Sequence, residues 1–405
     1  MKNIILAVFI FGFATILSAQ NFRVVGYLPQ YRMDFVDKLR FDYLTHLNIA
    51  FANPDSEGVL TTGKNNISPA IEMGHECGVK VLISLGGGHL YPEWKAAWTK
   101  YLKAENRSIF IKNILCYLKD NHLDGVDVDL EWKDVTPDYS PFILELKQAL
   151  SVEGKLLTAA LPGKHRYPNI TDQALSAFDF INIMAYDACG PWNPKKPGQH
   201  SSGEFAEKCI DYWTIQHGIK PENISLGLPC YGYNFSNPSN VYGFYYRSMV
   251  EKDLEHRYKD QVGGMYYNGI PTIKSKTQLA IDKVGGVMMW EISQDAVDTL
   301  SDYSLLKAVH ETLRSNDEKL SLQNQAFQVR IYPNPNTHFV YIETNQSSEE
   351  AEINIFNQEG TLLISKKQKM DVPVVHLETS ELKCGTYFCT VKLGNQVQTQ
   401  SLIKS

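Results

Sequence analysis

The sequence predicts an α/β protein: a closed (β/α)8 TIM barrel followed by a small all-β, Ig-like sandwich. Three observations predict it. Eight near-continuous apolar or β-branched runs alternate with helical stretches between residues 20 and 315, the pattern of a parallel sheet covered on its outer face. The turn after the first run, Gly26-Tyr27-Leu28-Pro29, is not the glycine-rich loop that an open nucleotide-binding sheet wants, so closure fits eight repeats better. Beyond residue 315 the character changes to short alternating strands at regular spacing.

Taken in order, residues 1–19 have a positive start at Lys2, an apolar middle from Ile4 to Leu17 broken by Gly12 and Thr15, and small residues at Ser18-Ala19. That is the pattern of a signal peptide cut after Ala19, and the run is shorter than the ~20 residues a spanning helix needs. Export is therefore expected. Barrel strands are expected at 23–28, 46–51, 80–85, 125–131, 156–161, 180–186, 224–228 and 286–292. Helices are expected at 67–77, 108–118, 141–150, 204–216 and 277–284, with a last one at 304–313. Residues 316–326 read as a polar linker. Sandwich strands follow at 327–332, 339–343, 353–356, 374–377, 387–391 and 399–403, separated by turn signals such as Pro333-Asn334-Pro335 and Cys384-Gly385.

Composition bounds the function classes. With 405 residues, 43% hydrophobic and 21% charged, the chain can bury a large core and is neither disordered nor fibrous. A formal net charge of -6 removes the general electrostatic attraction of a nucleic-acid or anionic-membrane binder. Seven cysteines are too dilute for a disulfide scaffold, and Cys77, Cys116, Cys189, Cys209, Cys230, Cys384 and Cys389 form no CxxC pair or metal pattern.

The informative segment is Leu123-Asp124-Gly125-Val126-Asp127-Val128-Asp129-Leu130-Glu131-Trp132. Side chains alternate along a strand, so Asp127, Asp129 and Glu131 share one face and Val126, Val128 and Leu130 the other. In a barrel the apolar face meets the helices, and the carboxylates point to the axis and climb toward the C-terminal mouth. Three like charges in a partly dry interior cannot all stay ionised, so the group shares a proton and titrates as a set. Two plainer readings stand beside this one. The strand could be an exposed edge with a wet acidic face, or the acids could hold a divalent cation. A calcium loop, however, needs loop geometry and a central glycine that a strand denies. The acid–base reading makes Glu131, at the strand's top, the proton donor, with Asp129 beside it to hold or accept charge. Asp124 lies at an odd offset and fits a brace at the strand's start.

Asp-Gly-x-Asp-x-Asp-x-Glu on the fourth strand of such a barrel resembles glycoside hydrolase family 18, the chitinases and endo-β-N-acetylglucosaminidases. Ser84-Leu85-Gly86-Gly87, Met184-Ala185-Tyr186-Asp187, Gly227-Leu228-Pro229-Cys230-Tyr231-Gly232 and Gly286-Val287-Met288-Met289-Trp290 resemble that family's motifs on strands three, six, seven and eight. The resemblance implies substrate-assisted catalysis with no cofactor and no metal. Glu131 would protonate the leaving oxygen while the substrate's own 2-acetamido oxygen attacks, and Asp129 and Tyr186 would orient that group. Asp127 would trade charge with Asp129, held by Tyr27 and Ser84. Asp187 would contact substrate, and Phe51 and Met184 would line the acetamido pocket. A lone strand Trp is more often core, but the resemblance makes Trp290 the floor under the reacting sugar.

Gly88 stands where many relatives carry an aromatic, and Trp132 follows the acid where Tyr is usual. Trp94, Trp132 and Trp192 are further candidate sugar platforms. Only about fifty residues separate Tyr231 from Gly285, too few for a long groove wall beside a crossover helix. An open cleft suited to endo-cleavage is expected. Ile331-Tyr332-Pro333-Asn334-Pro335, Asn357-Gln358-Glu359-Gly360, Leu382-Lys383-Cys384-Gly385-Thr386-Tyr387 and Leu402-Ile403-Lys404 resemble the type IX secretion sorting domain over 327–405. The other reading is a carbohydrate-binding sandwich, opposed by the lack of Trp and by aromatics that mostly fit strand-core positions. The expectation is a secreted or cell-surface monomer that cleaves chitin by retention. The alternatives are cutting the chitobiose core of N-glycans, or a barrel that only binds sugar.

Overall fold

The computed structural model describes residues 22–323, 327–346, 348–370 and 374–405, and the expected signal peptide lies outside them. The chain divides into two units between Asp317 and Glu318. In the first, eight strands close on themselves: β1 (Arg23–Pro29), β2 (His46–Pro54), β3 (Lys80–Gly86), β4 (Gly125–Asp129), β5 (Leu156–Pro162), β6 (Phe180–Met184), β7 (Ile224–Pro229) and β8 (Gly286–Trp290). Each runs parallel to the next, and β8 pairs with β1 to complete the barrel. The helices are α1 (Ser68–Glu76), α2 (Pro92–Tyr101), α3 (Ala104–Asp120), α4 (Tyr139–Val152), α5 (Asp172–Ala177), α6 (Gly203–Asp211), α7 (Tyr246–Lys252), α8 (Ile270–Lys283) and α9 (Leu305–Gln323).

Hydrophobic periodicity explains how helices and sheet meet. On α3, Phe110, Ile111, Ile114 and Leu118 form one buried stripe at helical spacing. Val126, Val128 and Leu130 face this outer layer from β4 and its end, all buried in the same core. The opposite strand faces build a second, smaller cluster inside the barrel, with Val25, Tyr27, Ala50, Ala160, Phe180, Tyr186 and Met288. Register fixes what meets what: Asp127 lies level with Ser84 of β3 and Thr158 of β5.

The structure departs from the sequence reading at several ends. β4 stops at Asp129 and β6 at Met184, each two residues early. Between β7 and β8, strands Tyr231–Asn234, Tyr242–Tyr245, Gln261–Val262 and Met265–Tyr266 form a small antiparallel sheet that was not expected. The last helix runs on through 316–323, because no Gly or Pro interrupts that polar stretch. None of the seven cysteines is in a disulfide.

In the second unit, strands β9 (Val329–Tyr332), β10 (Phe339–Thr344) and β13 (Val374–Glu378) form one antiparallel sheet. Strands β11 (Ser348–Phe356), β12 (Leu362–Met370), β14 (Gly385–Leu393) and β15 (Gln396–Lys404) form the other. Val340, Ile342, Ile353, Ile355, Val391 and Leu402 fill its core. Here the aromatics correct the sequence reading. Phe327 and Tyr387 are buried, but Tyr332, Phe339, Tyr341 and Phe388 lie on outer faces. On β10 the alternation gives Val340 and Ile342 the inner face, which turns Phe339 and Tyr341 outward.

A Cβ at Gly125 would lie 2.4 Å from the Leu156 carbonyl oxygen, at the seam between β4 and β5. Gly125→Ala is expected to lower stability by about 1–3 kcal/mol. A urea titration reads this as an earlier midpoint with an unaltered circular dichroism spectrum; an unmoved midpoint would show slack in the seam.

Candidate active site

Asp127 occupies the barrel axis with none of its surface exposed. Its Oδ2 accepts from Ser84 Oγ at 2.7 Å and the Tyr27 hydroxyl at 2.8 Å. Its Oδ1 accepts from Thr158 Oγ1 at 2.6 Å and Asn182 Nδ2 at 3.4 Å. Burial raises its pKa, and these four donors pull it partly back. Tyr27 and Ser84 were expected in this role. Thr158 and Asn182 were missed, although each is a single polar residue in an otherwise apolar strand, a signal that could have found them.

One step higher, Asp129 is buried, and its Oδ1 has no donor from the protein. Burial, then the charges of Glu131 and Asp127, raise its pKa well above the ordinary carboxyl range. Glu131, half-buried beyond the end of β4, is pushed up to about 7, first by burial and then by Asp187. Near neutral pH this pair therefore carries a proton, which is what an acid catalyst needs. Tyr186 is 8% exposed, and burial followed by the charge of Asp129 keeps its phenol protonated. Its hydroxyl rests 3.8 Å from Met288 Sδ.

Trp290, at the end of β8, stacks on Phe51 at 5.6 Å and meets Tyr27 edge-on at 5.5 Å. Phe51 and Met184 lie half-buried against the same inner cluster. Asp187 follows Tyr186 with a left-handed backbone (φ 63°). Its Oδ1 accepts from the Tyr231 hydroxyl at 2.5 Å and the Tyr233 hydroxyl at 3.0 Å. His200 Nδ1 lies 3.4 Å away. The roles of Tyr231, Tyr233 and His200 were not foreseen, since nothing in the sequence ties them to Asp187. Asp124 stands apart as a brace, accepting from the Val81 backbone N–H at 2.9 Å.

A cavity of about 690 Å³ opens over Glu131, Met184, Tyr186 and Asp187. Trp132 and Trp192 line it and are 64% and 60% exposed. Trp94, the third candidate platform, is half-buried against the barrel's outer core, edge-on to Tyr91. It sits on α2, whose apolar face draws it inward. Gly88 also lines the cavity, and a Cβ there would lie 2.7 Å from Glu131 Oε1. Among the described residues no group of three or more His, Cys, Asp or Glu is arranged to hold a metal ion.

Residues 23–295 match the sequence model of glycosyl hydrolases family 18. The chain belongs to this family. Residues 330–405 match the secretion system C-terminal sorting domain. The family 18 barrel is similar to a solved GH18 chitinase from the chitin utilization locus of Flavobacterium johnsoniae. Identity is 43% and the TM-score 0.70, over 73% of this chain and 95% of that one. A chitinase from Bacteroides thetaiotaomicron is 30% identical with a TM-score of 0.63, over 74% of this chain and 97% of that one. A chitinase-like effector of Moniliophthora roreri is 29% identical over 232 residues, 50% of this chain and 55% of the relative. The chain thus spans about half the length of that curated relative.

The negative charge of Asp187 favours the protonated form of Glu131, so its removal must lower the pKa. Asp187→Asn is expected to move the Glu131 titration from about 7 toward more acidic pH, read by carbon-13 NMR of labelled carboxyl groups. A midpoint that stays in place would mean that burial alone sets it.

Proposed function

We propose that this family 18 barrel is a secreted, retaining endo-glycoside hydrolase of β-1,4-linked N-acetylglucosamine polymers, chitin first. The observation that carries the reading is the carboxyl pair at the cleft. Glu131 holds a proton up to about pH 7, and beside it Asp129 presents a buried oxygen with no partner. No second carboxylate is needed as nucleophile if the substrate supplies one, as the 2-acetamido group does.

In the first step the acetamido oxygen attacks the anomeric carbon, and the bond to the leaving oxygen breaks as Glu131 gives that oxygen its proton. Asp129 Oδ1 accepts the acetamido N–H and offsets the positive charge of the oxazolinium ion. The Tyr186 hydroxyl turns from Met288 to donate to the acetamido oxygen, which holds the reacting atoms close. Glu131, now a carboxylate, then takes a proton from water as the water oxygen bonds to the anomeric carbon on the face that was vacated, and the bond to the acetamido oxygen breaks to restore the acetamido group. Two displacements leave the configuration unchanged. Trp290 offers the reacting sugar a flat apolar surface, and Trp132 and Trp192 stand exposed where neighbouring sugars would lie.

The likeness to a chitinase from a chitin utilization locus supports chitin over the N-glycan chitobiose core. The sorting-domain match supports a type IX route to the outside or the cell surface. Glu131→Gln is expected to cut kcat on chitin oligosaccharides by about a thousandfold or more while melting as the wild type does; undiminished turnover would reject the assignment. A high-mannose glycopeptide assayed beside those oligosaccharides decides between substrates, since faster cleavage of the glycopeptide would replace chitin with the glycan. Removal of residues 318–405 is expected to leave the barrel folded and to abolish delivery to the outside, and normal delivery would remove the sorting role.

A further inference from the structure

Lys276 is a buried cation that the proposed reaction does not use. It projects from α8 with 1% of its surface exposed. An ammonium has three donors, and all are engaged. Nζ donates to Ser201 Oγ at 2.6 Å, to Asn268 Oδ1 at 3.1 Å and to the Ser201 carbonyl at 3.3 Å. These partners are neutral, so the burial of the charge is offset by dipoles alone. Burial pushes the ammonium down to about 7, against weak opposing effects of Cys209 on α6 and of Asp260.

The bonds of Lys276 lead toward the catalytic cleft. Ser201, also fully buried, donates its own hydroxyl to the Ala185 carbonyl at 2.7 Å, one residue before Tyr186. Its neighbour His200 has Nε2 3.2 Å from the Tyr231 carbonyl. A carbonyl only accepts, so Nε2 carries a proton. The other ring nitrogen, Nδ1, is 3.4 Å from both the backbone nitrogen and Oδ1 of Asp187. The loop that carries Asp187 is therefore fastened from beneath through Ser201 and His200, and Lys276 is the fastening point on the helix layer.

We propose that Lys276 is a positioning residue that, through Ser201 and His200, holds Tyr186 and Asp187 in place beside Glu131. The proposal rests on Glu131 being the proton donor. Glu131 is faced by Asp187 and Asp129 and by the phenols of Tyr186 and Tyr167. Asp187 is faced in turn by His200, Tyr231, Tyr233 and Cys189. Of these charges, the one whose place depends on the Lys276 linkage is Asp187. A loosened loop lets it relax away from Glu131.

Carbon-13 NMR of the full chain with labelled glutamate carboxyls reads the Glu131 titration whether or not substrate is turned over, with Glu131→Gln assigning the signal. In Lys276→Met and in Ser201→Ala the midpoint is expected to fall by about 0.5 pH unit or more. On a chitin oligosaccharide, kcat is expected to drop about tenfold with KM held within about twofold. Ser201→Ala leaves Lys276 its other two acceptors and decides the matter should Lys276→Met not fold. A wild-type midpoint in Ser201→Ala, or in both variants with only the melting temperature lowered, would make the lysine purely structural and overturn the proposal. Turnover that ignores Glu131→Gln would instead sink the reaction proposed above, and the NMR midpoint would still judge the linkage.

Discussion

Carboxylates buried along the axis of a closed barrel are the constraint around which the first unit is arranged. A single ionised carboxyl deep in a protein is costly unless donors surround it. Asp127 meets that condition with four donors drawn from β1, β3, β5 and β6. Asp129 does not, because Asp127 and Glu131 repel its charge and one of its oxygens has no partner. Charge is thus tolerated at the bottom of the row and resisted at the top. Asp129 and Glu131 hold the shared proton between them beside the cleft, and that gradient is what the fold supplies to the chemistry.

The division of labour between strand faces makes the gradient possible. Val126, Val128 and Leu130 fasten β4 to the helices. Its inner face is left free to carry groups that stabilise nothing by themselves. The stability lost to a polar interior is offset by the outer layer, where aromatic and aliphatic side chains such as Phe110, Phe142 and Trp98 pack together out of water. Asp187 extends the same logic beyond the strand end. Its backbone N–H donates to His200 and its carboxylate accepts from Tyr231 and Tyr233, so a charged, exposed residue with a left-handed backbone acquires a fixed position.

Much of this was legible in the sequence because strand periodicity is strict. The two-residue alternation placed Asp127, Asp129 and Glu131 on one face before any coordinates, and the run of eight apolar segments gave the barrel. What stayed hidden depends on contacts between segments far apart in the chain. Thr158 and Asn182 look like isolated polar faults until the register sets them beside Asp127. Lys276 looks like any helical lysine, because a sequence does not say that its helix face meets Ser201. The tail's aromatics failed for another reason: alternation was the right rule, but its phase is set by which neighbours fill the core. Between β7 and β8 the short antiparallel strands were overlooked because each has only two to four residues.

The cage around Asp127 also limits how this interior can diverge. Remove the carboxylate, and four donors lose their common acceptor in a place that water does not reach. Remove one donor, and less is left to offset burial, so the carboxyl's pKa climbs further. Either loss is penalised before any compensating replacement arrives. Tyr27, Ser84, Asp127, Thr158 and Asn182 therefore act as one unit, in which any single replacement leaves a buried polar partner unmatched.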